Sequence, residues 1–190
     1  LVAAARRNIE WALTQQTASG WFRTNGFTAE QIPFTHTIAY AIRGVLECGV
    51  LLDDARHVDV ALKAARGLAA QQRADGFLAG TYGDGWVPHA SYCCLTGVAQ
   101  SALNWLRFDQ HTGNAEFTVV VDRGLEYLKK NHRISGTGAP EDGGVAGSAP
   151  IWGSCRRSVS RASRVSPSDA GSSSSRRCRR SPLTPTGTSA

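Results

Sequence analysis

The stretch QQTASGWF at residues 15–22 decides the fold, because its skeleton returns 56 residues later as QQRADGF at 71–77. Gln15-Gln16 and Gly20-Trp21 match Gln71-Gln72 and Gly76-Phe77. A second register repeats in the same order: His36 with Gly44-Val45 recurs as His89 with Gly97-Val98, 53 residues on. A third echo sets GFLAGT (76–81) beside GGVAGS (143–148), with Trp86 and Trp152 following the respective blocks. One short motif recurs easily by chance. Two registers in the same order point to a duplicated unit.

Working outward, apolar periodicity predicts helices over 2–16, 35–51, 54–73, 89–111 and 114–131. The third and fifth are amphipathic. Val58, Ala61, Leu62, Ala65, Leu68 and Ala69 form one stripe of the third, opposite Arg56, Asp59, Lys63 and Arg66. Phe117, Val121, Leu125 and Leu128 do the same in the fifth, opposite Asp122, Arg123, Glu126 and Lys129. Such helices keep a solvent face. The second (THTIAYAIRGVLECGVLL) and fourth (HASYCCLTGVAQSALNWL) are apolar nearly all round and are expected to be enclosed by other protein. The order reads outer, inner, outer, inner, outer. Asp53 or Asp54 is the expected cap of the third helix and Asn114 of the fifth. Gly49 and Gly113 suit the left-handed residues that end the second and fourth. Each helical pair buries its apolar face only against its neighbours, so an array is expected.

The pieces QQTASGWF and RGLAAQQRADGF resemble the Gln-Trp repeat of squalene and hopene cyclases. PFTHTIAYAIRGVLE, YCCLTGVAQSALNWL and GGVAGSAPIWGS resemble a bacterial branch of prenyltransferase and squalene-oxidase-repeat proteins. The likeness, to the terpenoid cyclase and protein prenyltransferase superfamily, covers residues ~6–154. It implies an all-α, partial α/α toroid over residues 1–154. In that family Gln16 and Gln72 would cap the turn after an outer helix, with Trp21 and Phe77 packed over it as structural tethers. A closed ring there needs about twice the roughly two and a half hairpins seen here, so the chain reads as a fragment, inactive by itself.

Composition divides the chain at residue 154. Of 21 basic and 15 acidic residues, eight arginines and one aspartate fall in 155–190, leaving 13 basic against 14 acidic, a net −1, for the body. The body therefore carries no electrostatic footprint for nucleic acid. The tail has eleven serines and no aromatic residue, too little apolar surface to offset ordering entropy, so disorder is expected. It reads as an Arg/Ser arm or, the version favoured here, a frameshift product of a GC-rich gene. The absent initiator Met agrees with a truncated or processed frame. No apolar stretch approaches the ~18–20 residues of a membrane span. Five cysteines without a CxxC pair read as free thiols in a reducing, cytoplasmic setting.

The toroid directs the N-terminal ends of its inner helices at the mouth of the central cavity. By the repeat register His36 and His89 both occupy that first turn. A helix N-terminus disfavours imidazolium, so each is expected neutral and available as a base. His36, His89 and Asp84 are the candidate catalytic residues. Asn25, Tyr40, Arg43, Tyr82, Trp86, Tyr92, Asp142 and Trp152, with Glu141 beside them, are the candidate pocket lining. The plainer reading makes both histidines helix caps bonded to loop carbonyls. Arg43 finds a structural partner at i+4 in Glu47. A zinc site at His89 and Cys93-Cys94 is disfavoured, because adjacent helical cysteines point about 100° apart, and no cofactor is assigned. Asp53-Asp54 lacks the DxDD and DDxxD spacings of terpene cyclases and reads as a helix start.

Three functions fit this frame. The first is a cyclase- or prenyltransferase-like enzyme acting on a small molecule in the cavity. The second is a carbohydrate-active lyase or hydrolase pairing a histidine with an acidic loop residue on a glycan. The third is a non-catalytic binding scaffold.

Overall fold

A computed structural model describes residues 2–136, 138 and 142–151. Glu141, Trp152 and the Arg/Ser-rich tail lie outside the described residues, as do the expectations attached to them. The protein is mostly helical: α1 (Val2–Thr14), α2 (Thr35–Leu52), α3 (Ala55–Ala69), α4 (Leu95–Thr112) and α5 (Thr118–Lys130), with a two-residue antiparallel pair, β1 (Cys93–Cys94) and β2 (Ser148–Ala149).

The helix ends follow local chemistry. Asp53 takes the left-handed conformation (φ 52°) that stops α2, and the Asp54 carboxylate accepts the Arg56 N–H at 3.0 Å to start α3. Gly113 (φ 70°) stops α4 as expected. Gly49 does not end α2 but lies inside it, where a Cβ would come within 2.9 Å of His57 and Val58 on α3. Its role is close packing. Asn114 is not the cap of α5 either. The Asp109 carboxylate, reaching from the end of α4, accepts the Phe117 N–H at 3.2 Å.

The largest departure is at α4, which begins at Leu95 and not near His89. The preceding chain is held extended: Ala79 bridges Cys93, the Gly80 N–H donates to the Tyr92 carbonyl at 2.7 Å, and β1 pairs with β2. Pro88 further disfavours helix for Val87. Backbone groups committed to these ladders cannot enter a helix until Cys94 caps it. His36 and His89 are therefore not equivalent in position.

α2 packs on α3 and α4, α4 packs on α5 and α3, and α1 leans on α2. Ile38, Ile42, Leu46, Leu68, Leu95, Val98, Trp105 and Phe108 fill the space between them, each large side chain contributing on the order of 1.5–3 kcal/mol by leaving water. Two polar groups inside find carbonyl partners: Trp105 Nε1 donates to the Ala65 carbonyl at 3.1 Å, and Asn104 Nδ2 to the Ala39 carbonyl at 2.8 Å. The second and fourth helices are not enclosed all round. Tyr40 and Leu103 are each 60% exposed, Arg43 is exposed, and Leu106 is 40% exposed. These residues leave parts of α2 and α4 open.

The two Gln-Gly turns share a glutamine bond to a following helix and the bond that closes the turn. Gln16 Nε2 donates to the Val60 carbonyl of α3 at 2.7 Å, and Gln72 Nε2 to the Val120 carbonyl of α5 at 2.9 Å. The Thr17 N–H donates to the Trp21 carbonyl and the Arg73 N–H to the Phe77 carbonyl. Gly20 (φ 88°) lies on the backbone of Lys63, and Gly76 (φ 89°) on that of Arg123. Each turn needs a positive φ and close backbone approach at once, which is why glycine stands there.

Candidate functional site

A cavity of about 640 Å³ opens at the N-terminal ends of α2 and α4, lined by Phe27, Phe34, His36, Tyr40, Tyr92, Cys94, Thr96, Gly147 and Ser148. Among the described residues, that lining includes no Lys, Arg, Asp or Glu. Four chain segments lie side by side to build it. Phe34 bridges Thr81, Ala79 bridges Cys93, and Cys93 pairs with Ala149. The Thr35 N–H and hydroxyl donate to the Gly80 and Ala79 carbonyls, and the Leu95 N–H donates to the Gly147 carbonyl at 3.0 Å. This lattice delivers His36, Tyr92, Cys94 and Ser148 to one place.

His36 stands in the first turn of α2, as its sequence register requires. Its ring stacks on Phe34 (centroids 5.4 Å apart, planes 14° apart), tilts against Phe27 at 5.9 Å and meets Tyr40 edge-on at 6.1 Å. Burial lowers its pKa below the ordinary histidine value, so the ring is neutral near pH 7. Nδ1 lies 3.7 Å from Cys94 Sγ. Cys94 is the N-cap of α4, and its sulfur accepts the Gly97 N–H at 3.3 Å. Gly97 makes this approach possible, since a Cβ there would fall 2.8–2.9 Å from Thr35 and the His36 backbone.

Cys93 and Cys94 have opposite fates. An extended strand sends neighbouring side chains to opposite faces, in place of the 100° separation expected on a helix. Cys93 is fully buried in the core, and burial pushes its thiol pKa up to about 11. Cys94, itself 6% exposed, lines the cavity.

Of the residues singled out from sequence, His36, Tyr40 and Tyr92 meet in this cavity. The others are placed elsewhere. His89 is exposed in the loop before β1, its ring over Gly83. Asp84 accepts from Thr17 Oγ1 at 2.8 Å and Ser19 Oγ at 3.0 Å, bonds that hold its carboxyl below the usual range. Neither histidine is among its partners, and its role is to pin the first turn. Tyr82 and Trp86 belong to the core, not to a pocket wall. Tyr82 Oη accepts the Ala79 N–H, with burial pushing its pKa up to about 12, and Trp86 Nε1 donates to the Ser19 carbonyl. Asn25 lines a separate groove of about 360 Å³ between α1 and α2, with Trp11, Phe22, Gly44 and Cys48. Arg43 pairs with Glu47 at 2.8 Å, as its spacing implied, and Glu47 also accepts from Arg107. Asp142 caps the loop at the Ser135 N–H.

Sequence reasoning missed Phe27, Phe34, Cys94, Thr96, Gly147 and Ser148. A Cys-Cys pair directly before the small, apolar run LTGVA was the available signal for Cys94. Glu10, Asp54 and His57 also gather closely, with His57 Nδ1 3.2 Å from Asp54 and Nε2 3.7 Å from Glu10. The Arg56 guanidinium already lies against both carboxylates there, at 2.6 and 3.4 Å, so the cluster has its cation. Among the described residues no helix is long and apolar enough to cross a membrane. In comparisons with known proteins, no family model and no curated protein matches this sequence.

Proposed function

We propose that the chain is an arc of an α/α toroid of the cyclase and prenyltransferase type, and that the cavity at the N-terminal ends of α2 and α4 binds an uncharged, largely apolar ligand. The observation that carries this reading is the lining itself: three aromatic walls around His36 and, among the described residues, no charged side chain. A diphosphate would need cations to meet its charge, and a two-carboxylate glycosidase mechanism would need acids facing the ligand. Neither is offered here. A neutral prenyl chain or ring meets apolar and aromatic surface, with hydroxyls at Tyr40, Thr96 and Ser148 to fix its polar end. His36, neutral and half-buried, is placed to accept a proton, and an enzymatic role for the complete assembly rests on it. The matched tethers at Gln16 and Gln72 support the repeat arc.

The test is equilibrium dialysis of the purified chain against a prenyl alcohol, the corresponding prenyl diphosphate and a disaccharide. The alcohol is expected to bind at least tenfold more tightly than either competitor, and Tyr40→Ala to weaken it severalfold. Preferential binding of the diphosphate or the sugar would overturn the reading.

A further inference from the structure

We propose that Cys94 is a nucleophilic thiol, with His36 as its base, that adds to uncharged conjugated carbonyl compounds admitted to the aromatic cavity. This rests on the reading above only in its choice of an uncharged ligand.

The geometry is that of an activated pair. Cys94 Sγ faces Nδ1 of His36 at 3.7 Å and takes the Gly97 N–H from the first turn of α4. The N-terminal end of a helix presents positive potential, which favours a sulfur that gains negative charge as it loses its proton. The imidazole is neutral and so able to accept that proton. Both groups line one cavity, whereas Cys93, one residue away, is sealed in the core and serves as an internal control. The fold also invests in the approach. Gly97 lacks the Cβ that would hold the two helix ends apart, and β1–β2 pairing fixes the backbone of Cys94 opposite Ser148.

The cavity chooses the electrophile. The described lining offers no cation to match anionic acyl or phosphoryl donors, and its aromatic walls suit a flat, neutral, conjugated group. The step balances without an oxidant or a leaving group. The S–H proton passes to His36 Nδ1 as the Sγ–Cβ bond forms on the acceptor, the electron pair of the C=C bond moves to the α-carbon as an enolate, and the imidazolium returns its proton there. The Tyr40 hydroxyl, on a ring edge-on to His36, is the donor beside the developing enolate oxygen.

N-ethylmaleimide, a neutral conjugated imide, is the probe, with each cysteine followed by peptide mass mapping on the full chain. In the native protein Cys94 is expected to label at least tenfold faster than Cys48 and faster than Cys94 itself in the guanidinium-unfolded chain, while Cys93 stays unreacted. That comparison needs no variant. His36→Gln is expected to slow Cys94 at least tenfold and leave Cys48 unchanged, the constancy of Cys48 reporting an intact fold. Native labelling of Cys94 slower than in the unfolded chain overturns the proposal, and so does a rate indifferent to His36→Gln in folded protein. Prenyl alcohol separates the two readings. Fast, His36-dependent labelling that the alcohol neither slows nor binds beside removes the ligand reading and leaves the thiol pair. Alcohol binding without His36-dependent labelling does the reverse.

Discussion

The turns at Gln16–Phe22 and Gln72–Leu78 share their closing bond and their glutamine bond to a later helix, and the loops that follow them share almost nothing. After the first turn the chain runs exposed: Thr24 takes a positive φ, and Phe27 is 71% exposed at the cavity rim. After the second it dives inward, with Leu78, Ala79, Tyr82 and Trp86 buried. The tethers from Gln16 to α3 and from Gln72 to α5 are thus alike, while the loops are free to differ, one forming a cavity wall and the other a core. Repetition in the sequence marks what holds the helices together. It does not mark where chemistry sits.

The sharpest way to break this equivalence is at the glycines. A Cβ at Gly76 would collide with the Arg123 carbonyl, a backbone atom that cannot step aside, whereas a Cβ at Gly20 would lie 3.1 Å from Lys63. Gly76→Ala is expected to cost about 3 kcal/mol or more and Gly20→Ala about 1–2 kcal/mol, read from denaturant unfolding. Equal costs would mean that the two docking surfaces are equally tight. The glutamines come next. Gln16 Nε2 meets two carbonyls, Val60 and Gly20, whereas Gln72 meets one and leaves Oε1 buried without a partner. Gln16→Ala should therefore cost ~1–1.5 kcal/mol and Gln72→Ala ~0.5–1 kcal/mol. A larger loss at Gln72 would reverse the ranking of the two tethers.

How much of this was legible follows from what each signal encodes. The Gln-Gly spacing encodes local turn geometry, and it located both tethers to the residue. The α2 start was legible because His36 follows a β-region Phe34 and opens an unbroken apolar helix. The α4 start was not. Residues 89–94 are apolar enough to pass for helix, but their backbone bonds go to chain more than ten residues away in sequence, at Ala79, Gly80 and Ala149. Periodicity carries no information about such partners. The same blindness assigned Tyr82 and Trp86 to a pocket wall, since an aromatic in a polar loop looks alike whether it points outward or inward. Cys94 was weighed as a zinc ligand with His89, while its real neighbour is the other histidine, reached only through tertiary packing.

Two electrostatic tests address the junctions of α3 with its flanking outer helices, and their effects are smaller. Asp54 is held at about 2 by Arg56 first of all, against an ordinary value of 3.8. A carboxyl depressed in the folded state stabilises above its unfolded pKa, and that contribution is lost as the pH falls through the folded value. The melting temperature should accordingly drop between pH ~4 and ~2, and Asp54→Asn should flatten that limb; an unchanged limb would remove Asp54 as its source. On the other side of α3, Arg66 grips Glu116 through two bonds at 2.6 and 2.8 Å on an exposed surface. A double-mutant cycle is expected to return ~0.2–1 kcal/mol, declining in high salt.

The links between the first turn and the second loop have a consequence for how the molecule comes to be made. Thr17 and Ser19 donate to Asp84, Trp86 donates to the Ser19 carbonyl, and Trp21 Nε1 donates to the Tyr82 carbonyl at 2.9 Å. All of these partners are synthesised more than sixty residues after the turn they complete. On the ribosome α1 and its turn must therefore wait, apolar side chains uncovered, until the second loop has emerged from the exit tunnel. The earlier of the two turns is in this sense finished only after the later one has been translated.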